Sequence, residues 1–204
     1  MSRNYDPKKH HRRSIRLKNY DYSRAGFYFV TVCIKDHVCL LGQIKHGEMT
    51  LNSAGKMINQ TWLDLPKRFP TIKLHEHIVM PNHFHGIIEI LDTWKNVKGK
   101  DVIAKDGQIL PFENEQLHGK GQPQGIAPTK KKLGDIVGAF ESLTTVEYIK
   151  GVKNEGWERF DGKLWQRNYW EHIIRHQQSF SRIANYIQNN VITWEKDKFY
   201  QHES

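Results

Sequence analysis

Apolar positions along this chain change period several times, and each change marks an element. Residues 27–34 (FYFVTVCI) are β-branched or aromatic almost throughout and predict a strand. Residues 38–44 read as its antiparallel partner across a Lys35-Asp36-His37 turn. The period then lengthens. Ala54, Ile58, Trp62 and Leu65 recur at helical spacing behind Asn52 or Ser53 as a cap, and Pro66 ends the run. Residues 72–80 and 83–91 return to strand composition, and Pro81 between them removes a ladder donor and predicts a break. Leu133, Ile136, Val137, Phe140 and Leu143 predict a helix to about Lys150. A strand is expected in the second half of 164–175, and a last helix from Ser179 or Ser181 through Tyr186 to about Trp194.

The order β, β, α, β, β, long loop, α, β, α predicts an α+β fold, a single-domain sandwich of a central antiparallel sheet with helices on one face. Between Asp92 and Lys132 the periodicity dissolves among glycines and prolines, so 92–132 reads as a long loop insertion rather than a second domain. Residues 1–24 form a basic N-terminal arm and 25–204 the folded domain. A hydrophobic content of 38% and 11% aromatics suit a globular chain rather than a disordered one. No apolar run approaches membrane-spanning length, and Met1 to Arg16 lack the apolar core of a secretory signal, so a soluble, intracellular protein is expected. Cys33 and Cys39 match no CxxC pattern and read as buried free thiols. There is no phosphate-binding glycine loop, no Ser-His-Asp order and no HExxH helix.

Charge narrows the partner. Lys and Arg number 31 against 22 Asp and Glu, a net +9, which favours a polyanion but also suits simple basic solubility. Arg12, Arg13, Arg16 and Lys18, interleaved with histidines and with Tyr20 and Tyr22, either follow a phosphate backbone or form a solvated tail. Lys130, Lys131 and Lys132 either grip a DNA hairpin or are a solvated charge run.

The sharpest chemistry is His83-Phe84-His85. In a strand the two imidazoles point to one side and Phe84 to the other, so two neutral nitrogen ligands stand side by side for one divalent metal. With 12 histidines in the chain, such a pair also arises by chance.

Four blocks then coincide: MPNHFHGII on a strand, LGDIVGAFESLTT on a helix, LWQRNYWEHIIR, and IANYIQNN. Together they resemble the HUH single-tyrosine transposases, most closely the REP-associated tyrosine transposases, over about Arg16 to Val191 apart from the loop. The resemblance implies a ferredoxin- or RRM-like HUH endonuclease fold, cytoplasmic and nucleoid-associated, monomeric or homodimeric, acting on single-stranded, hairpin-bearing DNA. It implies a tyrosine that attacks a phosphodiester to leave a 5′-phosphotyrosine link and a free 3′-hydroxyl, with a divalent metal, Mg²⁺ or Mn²⁺, at the scissile phosphate. On that template His83 and His85 are metal ligands, Tyr186 is the nucleophile and Asn190 the third ligand.

Helical geometry agrees. Phe180, Ile183, Ala184, Ile187 and Val191 make the buried stripe, while Tyr186 and Asn190, four apart, lie one above the other on its flank. Tyr148 and Tyr169 have no amide at the same spacing. Arg182 is a candidate DNA contact, and His172 a supporting partner of the site, a DNA contact or simply a strand histidine. Glu141 stands where many relatives carry lysine, which weakens a phosphate contact from that turn. Two other functions remain open: a transposase-derived DNA-binding protein that no longer cuts, and an HxH metallohydrolase using metal-bound water, which needs further His or Asp ligands.

Overall fold

The computed structural model describes residues 16, 17, 19–92 and 131–200. Its centre is β1 (Gly26–Cys33), whose β-branched and aromatic residues suit a pleat covered on both sides. Downstream come β2 (Gly42–Lys45), β3 (Glu48–Leu51), α1 (Ser53–Leu63) and α2 (Leu65–Arg68). They are followed by β4 (Ile72–Val79), β5 (His83–Ile90), α3 (Leu133–Asn154), β6 (Trp170–Ile174) and α4 (Gln177–Asn189). The main sheet is four-stranded and antiparallel in the order β4-β5-β1-β6. The α+β architecture around a central antiparallel sheet is the one expected.

Three details differ from the expectation. β1 is paired on both edges, by β5 and by β6, so residues 38–44 find no free edge beside it. Instead β2 folds onto β3 through His46 (φ 54°) and Gly47 (φ 75°), two left-handed residues of the kind that close a tight hairpin. Cys39 precedes that hairpin and is exposed, whereas Cys33 is buried in β1; neither is in a disulfide.

The third difference is that helices cover both faces. Tyr28, Val30, Val32, Phe84 and Ile88 point to one side, where α1 and α3 bury Ile58, Trp62, Ile136, Val137 and Phe140 against them. Each such side chain contributes roughly 1.5–3 kcal/mol by leaving water. Phe27, Phe29, Ile87 and Ile174 point to the other side, where α4 packs Phe180, Ile183, Ala184 and Ile187. Strand alternation produces this result: β1 and β5 are apolar at odd and even positions alike, so each face needs a cover. Gly86 on β5 is a position of close approach, because a Cβ there would stand 2.5 Å from the Trp62 ring.

Local signals hold where they were strong. Asn52 caps α1, its Oδ1 accepting from Gly55 N at 2.9 Å. α4 ends at Asn189, short of Trp194, and His176 caps its start through Ser179 N at 3.2 Å. Among the described residues no helix is long and apolar enough to cross a membrane.

Candidate active site

His83 and His85 occupy the first two alternate positions of β5 on the face that α4 covers, opposite Cys33 and Thr31 of β1. Both are buried, at 0% and 2% exposure, and their Nε2 atoms face each other at 3.1 Å. The spacing alone does not achieve this. His75 and His77 of β4 have the same separation, but the ladder slips between Leu74 and His77. His75 there bonds Glu89 at 2.9 Å beside Phe180, while His77 bonds Asn59 at 3.1 Å and packs on Trp62 of the opposite layer.

Neighbours fix which nitrogen of His83 is free. The Asn82 Nδ2 donates to the carbonyls of His37 and Phe199, each at 2.8 Å, so its Oδ1 faces His83 Nδ1 at 2.9 Å. An amide oxygen only accepts, so the His83 proton sits on Nδ1 and Nε2 keeps its lone pair. Thr31 Oγ1 bonds His85 Nδ1 at 2.8 Å, and because a hydroxyl both donates and accepts, this contact is compatible with either tautomer of His85. Burial pushes the imidazolium form of His83 well below the ordinary histidine range, and that of His85 down to about 3. Both rings are neutral at physiological pH, the state in which imidazole binds metal. Thr31→Val leaves the buried His85 Nδ1 without its hydrogen-bond partner, at a cost of about 1–3 kcal/mol. It is expected to lower Mn²⁺ affinity about 10- to 100-fold in a titration while secondary structure is retained.

α4 brings the tyrosine to the pair within one chain. Tyr186 Oη lies 3.2 Å from His85 Nε2, and its ring meets Phe29 and His85 edge-on at centroid distances of 6.2 and 5.3 Å. The phenol is 41% exposed, on the flank of the buried stripe where helical spacing put it. Its hydroxyl also donates to Asp197 Oδ2 at 3.4 Å. Burial, with the Asp197 charge as a second cause, raises the phenol above the ordinary tyrosine range, against a lowering effect of the nearby Asn190 amide.

Asn190 follows α4 in helical conformation and is 1% exposed, and neither atom of its amide makes a hydrogen bond of ordinary geometry. A buried amide without partners carries a desolvation cost that a ligated cation would remove. Asp197 was not anticipated. It sits in the turn after the Trp194–Lys196 3-10 helix, and one of its oxygens lies within 4.8 Å of the ligand nitrogens of both His83 and His85. Phe199 N donates to its Oδ1 at 2.7 Å and helps to fix the carboxylate. No motif marks this aspartate, because it reaches the site only through the fold of the turn. Lys198 beside it adds a positive charge that both histidines feel. Two imidazole nitrogens and a carboxylate oxygen within 4.8 Å of one another form a set that could hold a divalent cation.

The remaining candidates are scattered. His172 stands opposite Phe29 in the ladder and is exposed, and the histidine pair is held by Asn82 and Thr31 rather than by it. Arg182 is exposed one turn before Tyr186 on α4. Arg16 donates to the Tyr169 hydroxyl at 2.9 Å and lies over the Tyr22 and Tyr169 rings. Tyr148 and Tyr169 are buried in the layer of α1 and α3, away from the histidines. Lys131 and Lys132 are exposed at the start of α3. Arg12, Arg13, Lys18 and Lys130, with most of the 92–132 loop, lie outside the described residues.

No family model matches the chain. An uncharacterized protein of Haemophilus influenzae is 42% identical over 200 residues, 98% of this chain and 99% of that one. A segment of 117 residues is 27% identical to C-reactive protein 1.1 of Limulus polyphemus, 54% of this chain and 43% of that one. Among solved structures, a REP-associated tyrosine transposase bound to a REP hairpin aligns with a TM-score of 0.47 and 17% identity over 90% of this chain and 76% of that one. A likeness of that degree says nothing of what this chain binds or cuts.

Proposed function

We propose, on the premise that this chain belongs to one family with the Haemophilus influenzae protein, that it is a transposase-type endonuclease and strand transferase acting on single-stranded, hairpin-bearing DNA. The observation that carries this reading is the approach of the Tyr186 hydroxyl to His85 Nε2, 3.2 Å, with His83 Nε2 3.1 Å beyond, in one chain. The resemblance of the MPNHFHGII and IANYIQNN blocks to the HUH single-tyrosine transposases points the same way.

In this reading His83, His85 and Asp197 would hold a divalent metal, and the buried Asn190 amide would supply a further donor. When bound, Mg²⁺ or Mn²⁺ would offset charge on the scissile phosphate and counter the pull of Asp197 on the phenol proton. Tyr186 Oη attacks phosphorus. The new O–P bond forms as the P–O3′ bond breaks, giving a 5′-phosphotyrosine and a 3′-oxygen that takes up a proton. The exposed side of the phenol releases its own proton to water. The phosphotyrosine is a phosphodiester like the bond it replaced, so a 3′-hydroxyl can reverse the reaction without ATP. Lys198 and Arg182 flank the site as cations for the neighbouring phosphates.

The test is a denaturing gel of the full chain with labelled hairpin-bearing single strands. A covalent protein–DNA adduct is expected with Mg²⁺ or Mn²⁺ and none with EDTA; free cleaved ends without an adduct overturn the reading. One observation favours a second reading. The His-His-Asp set also suits a hydrolase that activates water, and such an enzyme would release free ends.

A further inference from the structure

A cleft of about 530 Å³ lies along α3 and the connection that leads from α3 to β6, in the helical layer opposite Tyr186. Glu141 lines it, with Oε1 buried and without a hydrogen-bond partner. Half-buried Phe160 and the exposed side chains of Val146 and Ile149 supply apolar walls, and exposed Lys163 and Arg167 stand at the rim. One residue of the cleft lining, Gln166, reaches the strand end that carries His83. Gln166 N donates to the Cys33 carbonyl at 2.8 Å, and Cys33 stands opposite His83.

We propose that this cleft takes one unpaired nucleotide of the single-stranded substrate and reads its base through Glu141, favouring bases with an exocyclic amino group over thymine. The proposal rests on the single-strand nuclease reading above. The cleft is of the size that ordinary small-ligand pockets have. Its rim cations match the flanking phosphates, and its apolar walls match the faces of a base. An ionised carboxylate only accepts hydrogen bonds, so it pairs with the amino groups of cytosine, adenine or guanine. Thymine offers a single ring N–H flanked by two carbonyl oxygens, which repel it. Burial raises the Glu141 carboxyl to about 7, against a lowering effect of Arg16. A turn of the carboxylate into the cleft would let a base amino group give the sealed Oε1 the hydrogen bond it lacks.

The experiment is fluorescence anisotropy of the full chain with short labelled oligo-dC, oligo-dA and oligo-dT, at a pH about one unit above the Glu141 value so that the carboxylate is ionised. Oligo-dC and oligo-dA are expected to bind about tenfold more tightly than oligo-dT. Glu141→Gln, whose amide both donates and accepts, should bring the three within about twofold. Val146→Trp fills the cleft from an exposed position and should erase the preference even where Glu141→Gln does not fold. Equal binding by the unmodified protein, a preference for oligo-dT, or a preference that survives either variant overturns the proposal. Absence of any single-strand binding removes the nuclease reading as well, whereas binding without base preference leaves that reading intact.

Discussion

Tyr186→Phe is expected to form no protein–DNA adduct and to reduce cleavage at least on the order of 10⁴-fold, because it deletes the only atom assigned to attack phosphorus. The change should be clean. The ring keeps its edge-on contacts with Phe29 and His85, and the lost hydroxyl makes two long hydrogen bonds at 3.2 and 3.4 Å on a side chain that is 41% exposed. Stability should therefore move by no more than about 0.5 kcal/mol, and DNA binding should persist. Adduct and cleavage are scored on one gel, with circular dichroism as the control for folding. Cleavage that survives without an adduct identifies water as the nucleophile and selects the hydrolase; an adduct that survives moves the nucleophile to another tyrosine. The raised phenol also predicts a direction with pH. Burial, the larger cause, still disfavours the phenolate when metal offsets Asp197, so adduct formation at saturating metal should rise as pH climbs from neutral toward the phenol's own range.

How much of this was legible depends on whether a feature is local. The helix carrying Ala54, Ile58 and Trp62 and its Asn52 cap, the break at Pro81, and the strand of histidines all follow from spacing and backbone chemistry within a few residues. Strand partnership does not. Residues 38–44 have a strand-like pattern, yet β5 and β6 take both edges of β1, and a hydrophobic pattern records which face is covered, not which neighbour covers an edge. The placement of α4 on its own face follows from apolar residues at odd and even positions of 27–34, Thr31 excepted, a sign of two-sided burial that the count of helices obscured.

The site divides in the same way. Tyr186 and Asn190 lie four apart on one helix, and His83 and His85 two apart on one strand, so each pair is readable from its own element. Asp197, Lys198 and Thr31 join only through tertiary structure. Asn82 was visible beside His83, but its function was not, because that depends on the Phe199 carbonyl 117 positions away. The β4 histidines mark the limit of spacing as evidence. His75 and His77 repeat the pattern and are separated by one register slip.

His83→Ala should remove metal affinity and adduct formation together. Both assigned nitrogen donors are neutral and buried, with their Nε2 atoms 3.1 Å apart, an arrangement that a shared cation fits when both rings carry their protons on Nδ1. A bound ion stabilises the folded state by mass action, about 2.7 kcal/mol when its concentration is a hundred times Kd. For a chain of this size that corresponds to a rise in Tm of roughly 5–10 °C. The unmodified protein should show this rise with Mn²⁺, and His83→Ala should show none. Because His83 is fully buried, the variant will also melt lower without metal, so the informative quantity is the metal-induced difference within each protein. The oxygen donors separate by charge. Asp197→Asn keeps an oxygen but loses the carboxylate that a hard cation prefers, and should weaken Mn²⁺ binding by about 10- to 100-fold. Asn190→Ala removes a neutral donor and should weaken it less. A metal-induced shift that survives His83→Ala would place the ion elsewhere, and one that survives Asp197→Asn unchanged would return the third ligand to Asn190 alone.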